Sequence, residues 1–270
     1  MFNLDASFFD LGRLDRLGRQ GTPVHRLDPR AKILTTLVFL ACVVSFDKYQ
    51  VAALLPYAIF PIALASAGRI PLGYLAKKVL AVAPFAVFVG IFNPVFDRDP
   101  LIQWGPVVLS GGWVSFASIL LRFGLTIGTT LVLIAVTNFE AICLGLQRLG
   151  VPRVFTVQLL FLYRYLFVLA DEALRLTRAR ALRSCGGRGL GMRVYANLLG
   201  QLLLRTIDRA KRIHLAMRLR GFTGELRSAR RLRIGRRDLV FTLGWSGAFI
   251  ALRVWNLPQF LGDLTLRLAG

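Results

Sequence analysis

The feature that most constrains this chain is a run of 25 residues, Trp113–Thr137, that contains a single ionisable side chain, Arg122. A helix crossing the hydrocarbon core of a bilayer needs about 20 mostly apolar residues, and a run of this length has the composition of a transmembrane segment. Three further runs precede it: Ala31–Phe46, Val51–Ala67 and Val79–Phe96. A fifth, Leu239–Trp255, lies near the end of the chain. The first two are at the short end of the usual range and draw on flanking residues. Arg122 reads as the one ionisable residue inside a span, either paired or reaching outward along its own stem.

The sequence is 55% hydrophobic, yet its formal net charge is +21. Those values are compatible because apolar and basic residues occupy separate blocks. Basic residues concentrate on the cytoplasmic side of membrane proteins. Arg13, Arg16, Arg19, Arg26 and Arg30 precede the first run and place the N-terminus inside. Arg69, Lys77 and Lys78 follow the second run, again inside, whereas Arg98 after the third is flanked by Asp97 and Asp99 and reads as outside. A sixth apolar stretch, Val154–Ala170, is ambiguous. If it crossed, residues 171–237 would be external, and they hold 18 of the 35 Lys and Arg residues against four acids. It therefore reads as the start of a cytoplasmic helix at or just under the membrane. The expected fold is an all-α integral membrane protein with about five transmembrane helices, N-terminus cytoplasmic and C-terminus external. Its expected parts are residues 1–137 with four spans, a basic cytoplasmic block at 138–237, and residues 238–270 with the fifth span. The first 30 residues carry mixed charges and no apolar core, so a cleavable signal is not expected.

The basic block carries helical signals. Gly150-Val151-Pro152 opens a helical pattern that runs to Cys185, with Pro in the first turn. Gly186, Gly187, Gly189 and Gly191 then break it and read as a hinge. A second helix runs from about Met192 to Arg220. Its expected apolar face is Leu199, Leu203, Ile207, Ala210 and Met217, with Arg205, Arg209 and Arg212 on another face.

The two helices end alike. The first closes on Ala179-Arg180-Ala181-Leu182-Arg183-Ser184, the second on Ala216-Met217-Arg218-Leu219-Arg220-Gly221. Each is Ala-x-x-x-Arg followed by a small residue, with Leu before the Arg. An Ala four residues back shares a face with the Arg, so each end offers a guanidinium beside a small residue. Another protein can approach such a surface closely and set a carboxylate against the Arg fork. Capping accounts for one Arg-Gly ending; it does not account for the repeat.

This pair of endings, between four N-terminal runs and one C-terminal run, resembles the transmembrane T component of energy-coupling factor (ECF) transporters, whose Ala-Arg-Gly or Ala-Arg-Ser signatures end two crossed coupling helices. His25-Arg26-Leu27-Asp28-Pro29-Arg30-Ala31-Lys32 is similar to the start of that family, and Tyr163–Glu172 is most similar to its cobalt branch, CbiQ. Where the family usually has Ala before the Arg, this chain has Leu182 and Leu219. The resemblance implies a non-catalytic coupling subunit of an ATP-driven importer. Two ATPase subunits, with ATP and magnesium held there and no cofactor in this chain, would each receive one helix end, with Arg183 and Arg220 pairing with acidic groove residues. A separate membrane subunit would capture the substrate: cobalt by the closest likeness, nickel or a vitamin as alternatives. The near-identity of the two endings favours two copies of one ATPase.

Other functions find little support in the residues. No Gly-x-x-x-x-Gly-Lys-Ser/Thr phosphate loop occurs. None of the 14 acidic residues lies well inside a span, where a proton- or metal-coupled carrier needs them. Cys42, Cys143 and Cys185 are far apart and make neither a disulfide framework nor a zinc site. His25 and His214 do not form a metal-binding group, and His214 reads as a packing or interface residue. A membrane enzyme that used the arginines to hold phosphate would need a general base or an acid cluster beside them. The one adjacent acid pair of the block, Asp171-Glu172, is expected to pair locally with Arg175 and Arg178. The arginines from Arg227 to Arg237 are expected to attract anionic lipid. A tethered basic face with few aromatics is a poor nucleic-acid surface.

Overall fold

The structure, a computed structural model, describes residues 18, 20–47, 50–96, 100–104, 107–183, 191–224 and 234–254. These fall into two compact units. One holds the described residues of Asp15–Asn138 and Leu232–Gly270, the other those of Phe139–Arg231.

The first unit is built from five helical segments. A turn, α1 (Pro23–Arg26), leads into α2 (Pro29–Val44), which starts at the expected place because Asp28 accepts the Arg30 N–H and Pro29 presets the first turn. At 16 residues, α2 is about 24 Å long, short of a full hydrocarbon core. The second run is not one helix. It divides into α3 (Val51–Leu54), a 3₁₀ turn (Leu55–Ala58) and α4 (Ile59–Ala67), because Pro56 and Pro61 withhold amide donors and crowd the preceding turns. The third run is displaced. Helix α5 spans Leu72–Gly90, so it begins seven residues before the expected Val79 and includes Lys77 and Lys78. It stops at Gly90, and a separate turn, α6 (Asn93–Phe96), follows. An antiparallel hairpin, β1 (Pro100–Trp104) and β2 (Val107–Ser110), joins it to α7 (Gly111–Val136). Helix α7 matches the defining run to within two residues at each end. Helix α11 (Arg236–Val254) covers the fifth run.

Contacts along these segments fix their directions. The Lys32 ammonium, 2% exposed, donates to the carbonyl of Val136, so α7 ends where α2 begins. The start of α7 lies against the end of α5: Asn93 Nδ2 donates to Ser115 Oγ at 2.9 Å, and a methyl group on Gly90 would stand 2.8 Å from the Phe116 ring. In the second segment Tyr57 meets Phe46 and Phe249, and Phe60, further on, meets Phe39 and Trp245. The partner numbers fall as its own rise, so it runs against both α2 and α11. Helices α2 and α11 are parallel. At their starts Asp238 Oδ1 accepts the Asp28 N–H and Oδ2 accepts the Gly235 N–H, both at 2.8 Å. At their ends Arg253 donates to Ser45 Oγ and to the Ser45 carbonyl and covers the Phe46 ring at 4.5 Å. The five segments therefore alternate in direction, beginning and ending with the same sense. Tyr57, Phe39, Phe60, Trp245 and Phe249 form the aromatic core between α2, the second segment and α11, with Tyr57 Oη donating to the Phe249 carbonyl at 2.8 Å.

Two expectations about charge change. Arg122 is not alone inside the runs: Lys32 and Arg253 lie within the first and fifth. Nor does Arg122 reach outward. It sits in the inward row Ser115, Ser118, Leu125, Thr129, Val132 and Val136 of α7, spaced by three and four, and donates to the Asp47 carbonyl just past α2. Arg253 thus meets a carbonyl at the end of α2 that has no partner within the helix, whereas Arg122 shares the Asp47 carbonyl with the Gln50 N–H.

Among the described helices, three are long and apolar enough to cross a membrane: α5, α7 and a third at Arg153–Arg183. The last is the helix whose first half the charge pattern placed outside the bilayer.

Asp238 accepts two buried or half-buried amides and begins α11. Replacing it with Ala should cost about 2–4 kcal/mol, and Asp238→Asn, which keeps one acceptor, about half of that. Thermal unfolding in detergent measures both; an Asp238→Ala protein as stable as the wild type would remove this contact from its place in the fold.

Candidate functional site

The second unit contains the expected helix endings. It starts with α8 (Phe139–Arg148), a helix for which the sequence reading named no pattern, although the break at Thr137 and Asn138 falls at the expected boundary. Phe139 stacks on Tyr163 at 4.4 Å and so ties α8 to the next helix. Gly150, with φ of +108°, turns the chain, and α9 (Arg153–Arg183) follows. At 31 residues it is about 46 Å long. The last helix of the unit is α10 (Met192–Leu219), with Gly191 at its N-cap.

Helices α9 and α10 pair antiparallel. Glu172 and Arg205 form a 2.7 Å ion pair at the middle of the contact. On one side of it Arg175, Ala179 and Arg183 share a recess with Val194, Asn197 and Gln201. On the other side Phe161, Tyr165 and Leu169 share an apolar recess with Ile213, Met217 and Phe222. Rising numbers on α9 meet falling numbers on α10. Glu172 is thus committed to the neighbouring helix, in place of the local pairing expected with Arg175 and Arg178, because the interhelix partner sits directly opposite. The face of α10 that packs also differs from the expected one. Leu198, Leu202, Thr206, Ile213 and Met217 turn to a half-buried environment, whereas Leu199, Leu203 and Ile207 are exposed. Both rows have helical spacing in a Leu-rich sequence, and spacing alone cannot choose between them.

The antiparallel pairing puts the two motif endings at opposite ends of the pair. Arg183 is 11 residues beyond the Glu172 contact on α9, and Arg220 is 15 residues beyond the Arg205 contact in the other direction. Their separation is at most roughly 40 Å at 1.5 Å per residue. At the first ending Ala179, Leu182 and Arg183 are all exposed; Ser184, Gly186, Gly187 and Gly189 lie outside the described residues. At the second, Ala216, Leu219 and Arg220 are exposed. Leu182 and Leu219, at equivalent positions, are 84% and 89% exposed, among the most solvent-facing large apolar side chains of the described chain.

The second ending is a built turn. Phe222 N–H donates to the Met217 carbonyl and Gly221 N–H to the Arg218 carbonyl, both at 3.0 Å, with Gly221 at φ +75°. This is the Schellman arrangement, in which the residue after the cap takes the left-handed conformation that glycine accepts without strain. Phe222 then folds back to the ring of Phe161. Arg220 is therefore presented from a fixed corner. His214 lines the apolar recess with Tyr165 and Met217. Among the described residues no three His, Cys, Asp or Glu side chains gather where they could hold a metal ion.

A helical unit with apolar segments long enough to cross a membrane, in one chain with a pair of basic antiparallel helices, has the make-up of an integral membrane protein. The sequence profile of the CbiQ family, described as cobalt transport protein, matches residues 20–231. The chain is 32% identical over 222 residues to the cobalt transport protein CbiQ of Rhodobacter capsulatus, covering 80% of this chain and 87% of that one. It is 26% identical over 221 residues to the energy-coupling factor transporter transmembrane protein EcfT of Bacillus subtilis, covering 74% and 81%. An EcfT of Heliobacterium modesticaldum is also 26% identical, over 252 residues, covering 87% and 94%. This protein belongs to the CbiQ family and is an ECF T component, a transport-related membrane subunit.

Gly221→Ala places a side chain in the left-handed region and should cost about 1 kcal/mol. Hydrogen exchange should show faster exchange of the Phe222 amide, with α9 unchanged. Unaltered protection at Phe222 would mean that the turn does not depend on this glycine.

Proposed function

We propose that this chain is the non-catalytic coupling subunit of an ATP-driven importer, passing the motion of an ATPase dimer to a substrate-binding membrane subunit. The observation that carries this reading is the matched pair of endings. Two Ala-x-x-Leu-Arg corners, one on each of two antiparallel helices, expose the same apolar and cationic groups at opposite ends of one helix pair. A dimer of identical ATPases offers two equivalent grooves and calls for two equivalent plugs. Arg183 and Arg220 would each meet an acidic residue, and Leu182 and Leu219 would fill apolar space beside it. ATP and magnesium belong to the ATPases in this reading, and this chain holds no cofactor. Cobalt as the transported ion draws on the family description and on the name of the Rhodobacter relative; nickel or a vitamin is the alternative.

Alternation of the five segments supports five spans, with the N-terminus cytoplasmic and the C-terminus external, and a division into residues 1–137, 138–237 and 238–270. Chain residues 137–235 leave from Val136 and return at Gly235, and both lie at the end of the bundle where α2 begins. A block with both ends on one side crosses an even number of times. Helix α9 alone cannot cross, and α10, with six Arg and Lys residues from Arg193 to Arg218, is a poor companion. The low hydropathy of α10 therefore keeps α9 out of the bilayer, although its first half is apolar enough. The cluster from Arg227 to Arg237 would lie against anionic lipid, and nucleic acid is not a partner in this reading.

Arg183→Glu and Arg220→Glu should each lower the amount of partner ATPase retained in a pull-down by about tenfold or more, with Arg230→Glu close to wild type. Equal losses for all three would reduce the effect to general charge. A reporter fused to the C-terminus should be active outside and silent in the cytoplasm; the opposite result overturns the topology.

A further inference from the structure

The recess on the α9 C-terminal side of the helix pair has a volume of about 480 Å³, within the usual range for ligand sites. Four arginines from two helices line it: Arg175, Arg180 and Arg183 from α9 and Arg205 from α10. Its one acid, Glu172, is taken by Arg205 at 2.7 Å. The other three guanidinium groups form no ion pair with any described carboxylate. Asn197 and Gln201 add carboxamides from the facing helix, so the walls offer fork-shaped cationic donors on one side and neutral donors on the other. Three like charges brought to one recess repel each other, and an anion of two or more charges placed among them reverses the sign of that term.

The shape of the donor set selects the anion. A carboxylate has two oxygens and is saturated by one or two Arg forks, whereas a phosphate presents three or more oxygens in a tetrahedron and accepts several forks from different directions. A recess between two helices also admits a small group more readily than a folded partner surface. We infer that this recess binds a phosphate-bearing dianion through Arg175, Arg180 and Arg183, assisted by Asn197 and Gln201. The phosphate belongs to a soluble diphosphate or phosphomonoester, or to a phosphomonoester lipid headgroup. The ligand role is separate from the coupling role assigned to the exposed tips, although Ala179, Arg180 and Arg183 of the first ending line the recess as well.

Calorimetry on the full chain in detergent, with sodium pyrophosphate against sodium chloride at matched ionic strength, tests the soluble source. Nanodiscs with and without phosphatidic acid test the lipid source. Saturable binding of pyrophosphate, or a preference for phosphatidic acid, is expected. The double variant Arg175→Gln, Arg180→Gln should weaken it about tenfold or more, Arg175→Lys should weaken it less, and Arg230→Gln should leave pyrophosphate binding unchanged. Binding to pyrophosphate points to a soluble ligand; a preference for phosphatidic-acid nanodiscs alone that the double variant loses points to the headgroup. Absence of both, a phosphatidic-acid preference that the double variant keeps, or equal weakening of pyrophosphate binding by Arg230→Gln, overturns the site. Retention of the ATPase by the double variant, measured alongside, reports folding and keeps this result distinct from any failure of Arg183→Glu to release the ATPase.

Discussion

The parallel pairing of α2 with α11 is the constraint on which the membrane unit depends. Asp28 and Asp238 join the two helix starts, and Arg253 and Ser45 join the two ends. Helices 200 residues apart in sequence are thereby given one direction. An odd number of alternating segments follows, and so does the return of residues 137–235 to the end from which they left. The two ends of the pair use opposite chemistry for a common reason. Helix starts present unpaired N–H groups and take carboxylates; helix ends present unpaired carbonyls and take guanidinium groups. Within an apolar surrounding each such unmet group is expensive, so Asp238, Arg253 and Arg122 are fixed by what they satisfy.

The second unit follows a different rule. Its helices are held by a modest contact, one half-exposed ion pair with a recess on each side. A surface pair of this kind contributes little, about 1 kcal/mol or less, and long helices joined so lightly can change their crossing without loss of a large core. The coupling role proposed for this chain would use that property. The antiparallel arrangement also assigns the repeated endings to opposite ends, which a symmetric dimer can engage together.

Several features were legible without coordinates. The defining run at Trp113–Thr137 became α7 almost unchanged, because a long apolar segment leaves few alternatives. The stop of α10 at Gly221 was legible because only a residue tolerant of positive φ closes that turn. Other features were not. Spacing by three and four marked Leu199, Leu203 and Ile207 as a packed face, but the neighbouring row had the same spacing and was the one chosen by α9. Asp238 stands just before the fifth run with no sequence signal of burial, yet it is 7% exposed and accepts two amides, one distant in sequence and one across a turn. Arg122 gave no sign of its partner, since a backbone carbonyl past α2 has no residue-type signature. Prolines 56 and 61 could have signalled the divided second segment.

By itself the sequence determined that the chain enters a membrane, that its cationic residues gather in blocks apart from the apolar runs, and that two helices close with the same residue pattern. Each of these depends on composition and on spacing within one helix, where the energy of transfer to lipid and the cost of a strained turn act locally. Only the tertiary structure decided the parallel sense of the first and last helices, the partners of Arg122 and Asp238, and the placement of Arg183 and Arg220 at opposite ends of their pair. Those depend on groups far apart in the chain, and the hydrogen-bond acceptors that settle them are backbone atoms or carboxylates that look alike until the helices are brought together.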